Sequence, residues 1–173
     1  MTRRGRVLFI VIVVVQVLVI VGMATGRELT LRGDQDVTLQ TRPVDPRDLF
    51  RGDYVVLDYE IAIVETNRTE RLFLETGDAV FVELIQSGDT WVAGRVGRQP
   101  FDGAERFIRG TVVRAGTDTV HVEYGIEEYF VPEGRGRVVE RAADVDVVVA
   151  VDGDGGAVIR HLIVDGRVWD PYG

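Results

Sequence analysis

The string GDYVVLDY, which ends at Tyr59, brings two carboxylates and two phenols close together in sequence. In an extended strand, Asp53 and Tyr59 point to one side, while Tyr54 and Asp58 point to the other. The side with Asp53 is the more apolar, and a carboxylate at the rim of an apolar row could act as a general acid. An aspartate that closes a turn, followed by core tyrosines, explains the same residues structurally. We favour that structural interpretation.

Other chemistry is restricted by the residues that the chain lacks. Its only serine is Ser87, and it contains no Lys and no Cys, which excludes a Ser–Lys dyad, thiol catalysis and Cys-ligated zinc. The Asp-rich string at 152–156 offers oxygen atoms that Ca²⁺ could use, but it lacks the rest of a calcium loop, and a hairpin turn explains it better. We therefore predict no catalytic residue, no metal site and no cofactor.

Alternating apolar and polar residues, separated by turn residues, predict a mainly β domain over 37–173. Glycine-containing turns at 152–156 and 165–166 suit hairpin loops, and one short helix is predicted over 136–143. The pattern is typical of an antiparallel β-barrel or sandwich. The predicted strands are 37–41, 54–64, 79–86, 90–96, 107–114, 119–131, 145–151 and 157–169.

An N-terminal run over 7–24 is apolar except for Gln16. As a helix, this run would span roughly 27 Å at about 1.5 Å per residue, enough to cross the hydrocarbon core of a bilayer. Arg3, Arg4 and Arg6 precede the run, so the positive-inside rule places the N-terminus in the cytoplasm and the remaining chain outside.

A retained signal anchor is favoured over a cleaved signal peptide, because the run is longer than the usual apolar region of about 7 to 15 residues. Cleavage after the small residues near Ala24 remains the alternative. The predicted organisation is a cytoplasmic N-terminus at 1–6, a transmembrane anchor at 7–24, a juxtamembrane linker at 25–36 and an extracytoplasmic β-rich domain at 37–173.

The charge of the chain argues against nucleic acid as a partner. The formal net charge is -8, and three of the 20 cationic residues, all of them Arg, precede the apolar run. The predicted domain is therefore more acidic than the whole chain. An acidic surface repels phosphate backbones, so we predict no nucleic-acid binding.

The string at 52–59 fits the pattern GDYxxLxY at all five fixed positions, and a second block, EYGIEEYFVPEGRGRVVE, follows at 123–140. The chain resembles the GDYXXLXY family of membrane-anchored prokaryotic proteins on these two blocks. The resemblance implies a protein of uncharacterised function, of a kind found beside multi-pass membrane proteins. Its motif residues, with a structural or binding role, would be Gly52, Asp53, Tyr54, Leu57 and Tyr59.

These observations favour a non-enzymatic, single-pass protein of the cell membrane. Its bilayer contact would be the run at 7–24, and its extracytoplasmic domain would bind or assist a neighbouring multi-pass membrane protein. The alternative is an Asp-dependent hydrolase or small-ligand-binding domain centred on Asp53, Tyr54 and Asp58. An enzyme needs a concave site with converging carboxylates, whereas a binding module needs an exposed patch.

Overall fold

A computed structural model describes residues 11–18, 36–42, 54–66, 74–132 and 134–172 of the chain. Within these residues, eleven strands alternate with short helical segments. The strands are β1 (Asp36–Gln40), β2 (Tyr54–Val56), β3 (Ile63–Glu65), β4 (Ala79–Ser87), β5 (Thr90–Gly97), β6 (Arg106–Ala115), β7 (Thr119–Glu123), β8 (Glu128–Phe130), β9 (Val145–Val151), β10 (Ala157–Val164) and β11 (Arg167–Trp169). The helical segments are α1 (11–18), a 3-10 helix (Glu60–Ala62) and α2 (Gly136–Glu140).

Nine of the strands form one sheet in the order β11-β10-β9-β1-β5-β4-β6-β7-β3, and β2 pairs with β8 in a second sheet. All ladders are antiparallel except that between β1 and β5, where Leu39 lies opposite Trp91. The mainly β prediction is confirmed. The predicted barrel is wrong, because the sheet that the described residues form is open at β11 and β3. The second sheet has two strands only, so the described fold also lacks the two comparable layers of a sandwich.

The segment predicted as one strand over 54–64 is interrupted in the structure. After β2, the N–H of Ala62 donates to the carbonyl of Tyr59 at 3.0 Å and the chain turns through the 3-10 helix. Beyond this turn, β3 pairs with β7, while Tyr59 before the turn makes a single bridge to Thr41, just after β1. The turn separates these two contacts, so no continuous ladder joins β3 to β1.

The predicted strand at 119–131 is divided in the same way. β7 ends at Glu123, a turn occupies 124–127, and β8 begins at Glu128. Gly125 has φ of +77° in this turn, a left-handed conformation that glycine adopts without steric cost. The apolar residues on either side of Gly125 continue the period-two pattern, which is why the pattern alone predicted a single strand.

Both predicted hairpin loops are confirmed. Asp165 and Gly166 have φ of 48° and 76°, the two positive values that a type I′ turn requires, and they join β10 to β11. In the loop between β9 and β10, one carboxylate oxygen of Asp152 accepts the N–H groups of Asp154 at 3.0 Å and Gly156 at 2.7 Å. This carboxylate therefore stabilises its own loop.

The interior of the curved sheet is filled by aliphatic side chains and by one tyrosine of the motif. β3, at one edge, contacts β5 across this interior. Burial of these side chains is the main stabilising contribution to the fold. The largest fully buried side chains are Tyr59, Leu39, Ile61, Leu84, Ile108 and Leu162.

Two helices bear on the sequence predictions. α2 begins at Gly136 as predicted and ends at Glu140, three residues before the predicted end. α1 lies in the predicted anchor, and its side chains are exposed. Across the described residues, the structure contains no helix that is both long and apolar enough to cross a membrane. The predicted boundaries after residues 6 and 24 fall outside the described residues.

Candidate functional site

The described residues of the motif alternate between two opposite sides, as the sequence pattern predicts. Tyr54 is exposed, whereas Leu57 and Tyr59 are buried, the latter with 0% of its surface accessible. Gly52 and Asp53 lie outside the described residues, so the predicted role of Asp53 at the rim of the apolar row stays a prediction. The described part of the motif is thus one exposed aromatic ring followed by two core residues.

Tyr59 and Tyr124 form a reciprocal pair of buried hydrogen bonds between the motif segment and the turn at 124–127. The hydroxyl of Tyr59 donates to the carbonyl of Ile126 at 2.8 Å. In the opposite direction, the hydroxyl of Tyr124 donates to the carbonyl of Ile61 at 2.6 Å. Each phenol therefore gives a backbone carbonyl of the other segment its hydrogen-bond donor. Buried polar groups require such partners. We call this pair the tyrosine lock.

Glu127 completes the connection between the same two segments. Its carbonyl accepts the N–H of Leu57 at 2.7 Å, and its side chain accepts the N–H of Tyr124 at 2.5 Å. Burial raises the pKa of the phenols of Tyr59 and Tyr124 well above the usual value of about 10, and the negative charge of Glu127 raises it further. Both phenols consequently stay protonated and act as hydrogen-bond donors.

Asp58, the second carboxylate of the motif, is paired with Arg42. The guanidinium of Arg42 donates to Asp58 Oδ1 at 2.6 Å, and the backbone N–H of Arg42 donates to the carbonyl of Asp58 at 2.7 Å. These contacts, with the bridge between Thr41 and Tyr59, fasten the motif to the end of β1. The pair is partly exposed, with its two side chains 31% and 43% accessible, so its stabilising contribution is small.

Tyr54 lies on the outer side of the two-stranded sheet, directly opposite Phe130. The two rings make an edge-to-face contact with centroids 5.7 Å apart, and 44% of Tyr54 and 51% of Phe130 remain accessible to solvent. Edge-to-face packing accounts for their mutual contact but leaves much of both rings in water. They form an exposed aromatic pair.

A concavity of about 350 Å³ lies where β7 leaves β6, beside the tyrosine lock. Gly110 lines it and is closely approached, because a Cβ atom there would stand 2.4 Å from Val122 Cγ1 and 2.9 Å from Tyr124 Cδ1. The absent side chain lets the ring of Tyr124 lie against β6. The lining residues are Ala79, Arg109, Gly110, Thr111, Glu123, Tyr124, Gly125 and Glu127.

A sequence model described as GDYXXLXY protein matches residues 16–162. The match covers most of the chain, including the motif, the turn at 124–127 and the residues that line the concavity. The chain belongs to the GDYXXLXY protein family. No curated protein and no solved structure matches the chain.

In this GDYXXLXY protein, the described motif residues hold the fold together. The hydroxyl of Tyr59 donates a hydrogen bond to a backbone carbonyl, and Leu57 is packed in the core. The carboxylate of Asp58 forms a salt bridge with Arg42. Of the three residues on which the hydrolase alternative centres, Tyr54 lies on the opposite side of the strand from the buried Tyr59, and Asp53 is outside the described residues.

Metal binding finds no support in the part of the chain that the structure describes. Among these residues, no three or more His, Cys, Asp or Glu side chains lie close enough to hold a metal ion. In the loop at 152–156, the carboxylate of Asp152 accepts two backbone N–H groups of its own loop, as in a hairpin turn.

The concavity was not predicted from the sequence, because the alternating pattern over 119–131 predicted one continuous strand where the structure has the turn with Gly125. One signal was available. Gly110 stands inside a predicted strand, where an isolated glycine often marks the close approach of another group. In the structure, that group is the ring of Tyr124.

Proposed function

We propose that this GDYXXLXY protein is a non-enzymatic binding module, anchored in the cell membrane by the run at 7–24, whose extracytoplasmic β domain contacts a neighbouring multi-pass membrane protein. The observation that carries the proposal is the surface of α1. Its apolar side chains, from Val11 to Leu18, are 40% to 63% exposed. A helix that is hydrophobic on all sides is stable when lipid or protein surrounds it, since water around such a surface is unfavourable.

The orientation of the anchor follows from the charges that flank it. Arg3, Arg4 and Arg6 precede the apolar run, whereas Arg27 after it is accompanied by Glu28. Positively charged flanks stay in the cytoplasm, which supports an external position for the β domain. The exposed aromatic pair, Tyr54 and Phe130, supports the binding role. Aromatic side chains are enriched at protein interfaces, where burial of their rings contributes much of the affinity.

The anchor and its orientation are tested in cells that produce the full chain. We expect the protein to stay in the membrane pellet after alkaline carbonate extraction, and its β domain to be digested by protease added outside intact spheroplasts. A cytoplasmic control protein should survive the same protease. Recovery of the chain in the carbonate supernatant, or release of a soluble fragment that begins near Thr25, would contradict a retained anchor.

The partner is tested by photo-crosslinking in native membranes. A photoreactive phenylalanine analogue replaces Tyr54 in one variant and Val168 in the matched control, because Val168 is 67% exposed on β11, an edge strand of the other sheet. We expect the probe at Tyr54, and not the probe at Val168, to crosslink to an integral membrane protein. Equal crosslinking from both positions, or crosslinks to soluble proteins only, would refute the assignment of this surface.

A further inference from the structure

The concavity beside the tyrosine lock is lined by charged groups that have no ion partners within the described residues. Arg109 and Glu123 are exposed, Glu127 is half-buried, and none of the three takes part in a salt bridge there. One carboxylate oxygen of Glu127 accepts the N–H of Tyr124, which leaves the second oxygen available. One guanidinium therefore shares a concave surface with two carboxylates.

The strand register explains how these charges are arranged. Thr111 lies directly opposite Glu123, and Arg109 precedes Thr111 by two residues, so all three lie on the same face of the sheet. Arg109 and Glu123 are then diagonal neighbours, whose Cα atoms are roughly 7 to 8 Å apart in a regular sheet. β7 ends at Glu123, and beyond it the turn with Gly125 replaces the strand beside Arg109.

We propose that this concavity binds a free basic amino acid, with the ligand carboxylate on Arg109 and its ammonium groups on Glu123 and Glu127. Charge-assisted hydrogen bonds of this kind are about 2.7 to 2.9 Å long. An α-amino acid carries its carboxylate and its ammonium on one carbon, so it can contact the guanidinium of Arg109 and the carboxylate of Glu123 at the same time. One cation and two anions on the wall match one carboxylate and two ammonium groups on the ligand. The hydroxyl of Thr111 supplies a further polar contact.

The wall that carries Glu127 is fixed before any ligand binds. The hydroxyl of Tyr59 donates a hydrogen bond to the carbonyl of Ile126, and the N–H of Leu57 donates one to the carbonyl of Glu127. Gly110 lets Tyr124 lie against β6 from the other side. A preorganised wall reduces the entropic cost of binding, which gives Tyr59 and Tyr124 a positioning role for this site.

The test uses the full chain in detergent micelles, labelled with ¹⁵N, and three probes at matched ionic strength. L-lysine carries all three ligand groups, cadaverine is lysine without its carboxylate, and 6-aminohexanoate is lysine without its α-ammonium. We expect L-lysine to shift the amide signals of Gly110 and Gly125 saturably. Each of the other probes should bind at least about tenfold more weakly, since each loses one charge-assisted hydrogen bond.

Two variants and a control locate the effect. Arg109→Gln should lower the affinity for L-lysine to that for cadaverine without changing the affinity for cadaverine, and Glu123→Gln should weaken both. Arg114→Gln removes an exposed arginine of the same strand outside the concavity and should change neither. Each variant without ligand should show the amide signals of the folded parent, which establishes that the variant folds.

Equal affinities for L-lysine and cadaverine, non-saturable shifts, or an unchanged affinity in Arg109→Gln would overturn the proposal. The inference involves neither the exposed aromatic pair nor the anchor. Its failure would therefore leave the membrane-module proposal intact, and failure of the crosslinking or extraction tests would leave this inference intact.

Discussion

The tyrosine lock makes a quantitative prediction about the stability of the fold. Tyr59→Phe removes the donor to the carbonyl of Ile126, and Tyr124→Phe removes the donor to the carbonyl of Ile61. Both carbonyls belong to residues that are at most 3% exposed. Leaving a buried acceptor without its donor costs about 1 to 3 kcal/mol, so each variant should lose that much free energy of unfolding. Tyr59→Ala should lose about 3 to 5 kcal/mol, because it also removes a buried ring.

The double variant tests whether the two bonds act together. Both bonds join the same pair of segments, so loss of one lets the segments separate and weakens the other. The double Phe variant should therefore lose less than the sum of the two single losses, by at least about 0.5 kcal/mol. The measurement is urea unfolding of the full chain in micelles, followed by tryptophan fluorescence. Tyr54→Phe, which alters an exposed motif tyrosine, is the matched control and should change stability by less than about 0.5 kcal/mol.

The pH dependence of the same variants provides an independent check. The pKa values of both phenols are raised in the fold, so above pH about 10 the unfolded chain releases phenolic protons that the folded chain keeps. Stability of the parent should therefore fall as the pH rises above about 10, and the double Phe variant should lose less over the same interval. Single Phe variants that match Tyr54→Phe in stability, together with an unchanged alkaline loss in the double variant, would refute the lock.

Two further substitutions test the surroundings of the site. Gly110→Ala should destabilise the fold by about 1 to 3 kcal/mol, because its Cβ meets Val122 and the backbone oxygen of Glu123, whereas Gly153→Ala, which meets nothing within 4 Å, should be nearly neutral in the same urea assay. Asp146→Asn should stabilise the fold by up to about 1 kcal/mol at neutral pH, because it removes a charge from a partly buried site beside Asp144 and Glu60. Burial, then the nearby carboxylates, raises the pKa of Asp146, so this gain should shrink as the pH falls towards about 4, and a constant gain would contradict the explanation.

The parts of the fold that were predicted are those in which neighbouring residues decide the structure. A hairpin such as that at 165–166 needs residues that adopt positive φ at the turn and alternating apolar and polar residues beside it. Both kinds of residue can be recognised in the sequence. The short helix after residue 134 was found for the same reason, although its end was misplaced. A local pattern also predicts which side of the motif strand faces the core, and this held from Tyr54 to Ile61.

The errors arose where apolar alternation continued through a change of backbone direction. Ile61 is buried in the 3-10 helix just as it would be in a strand. The alternation of apolar and polar residues around it therefore does not reveal the turn. Tyr124 and Ile126 are likewise buried on either side of Gly125, so the alternation continues through that turn. The parallel pairing of β1 with β5 joins segments about fifty residues apart, and no local signal specifies such a neighbour. Because the arrangement of the sheet depends on such long-range pairing, and the concavity depends on the turn with Gly125, neither was predicted.

The spacing of the motif now has a partial physical explanation. Leu57 and Tyr59 are two residues apart, so both side chains enter the core while the backbone of Leu57 meets Glu127 and the ring of Tyr59 meets Ile126. A hydroxyl at the end of a ring reaches across the core to a carbonyl that a shorter side chain could not reach. Phenylalanine would fill the same volume but leave that carbonyl unpaired, which is why tyrosine suits this position. Among the described residues, Tyr54 makes no such hydrogen bond, and its ring packs edge-to-face against Phe130 instead, so the core does not explain its place in the motif.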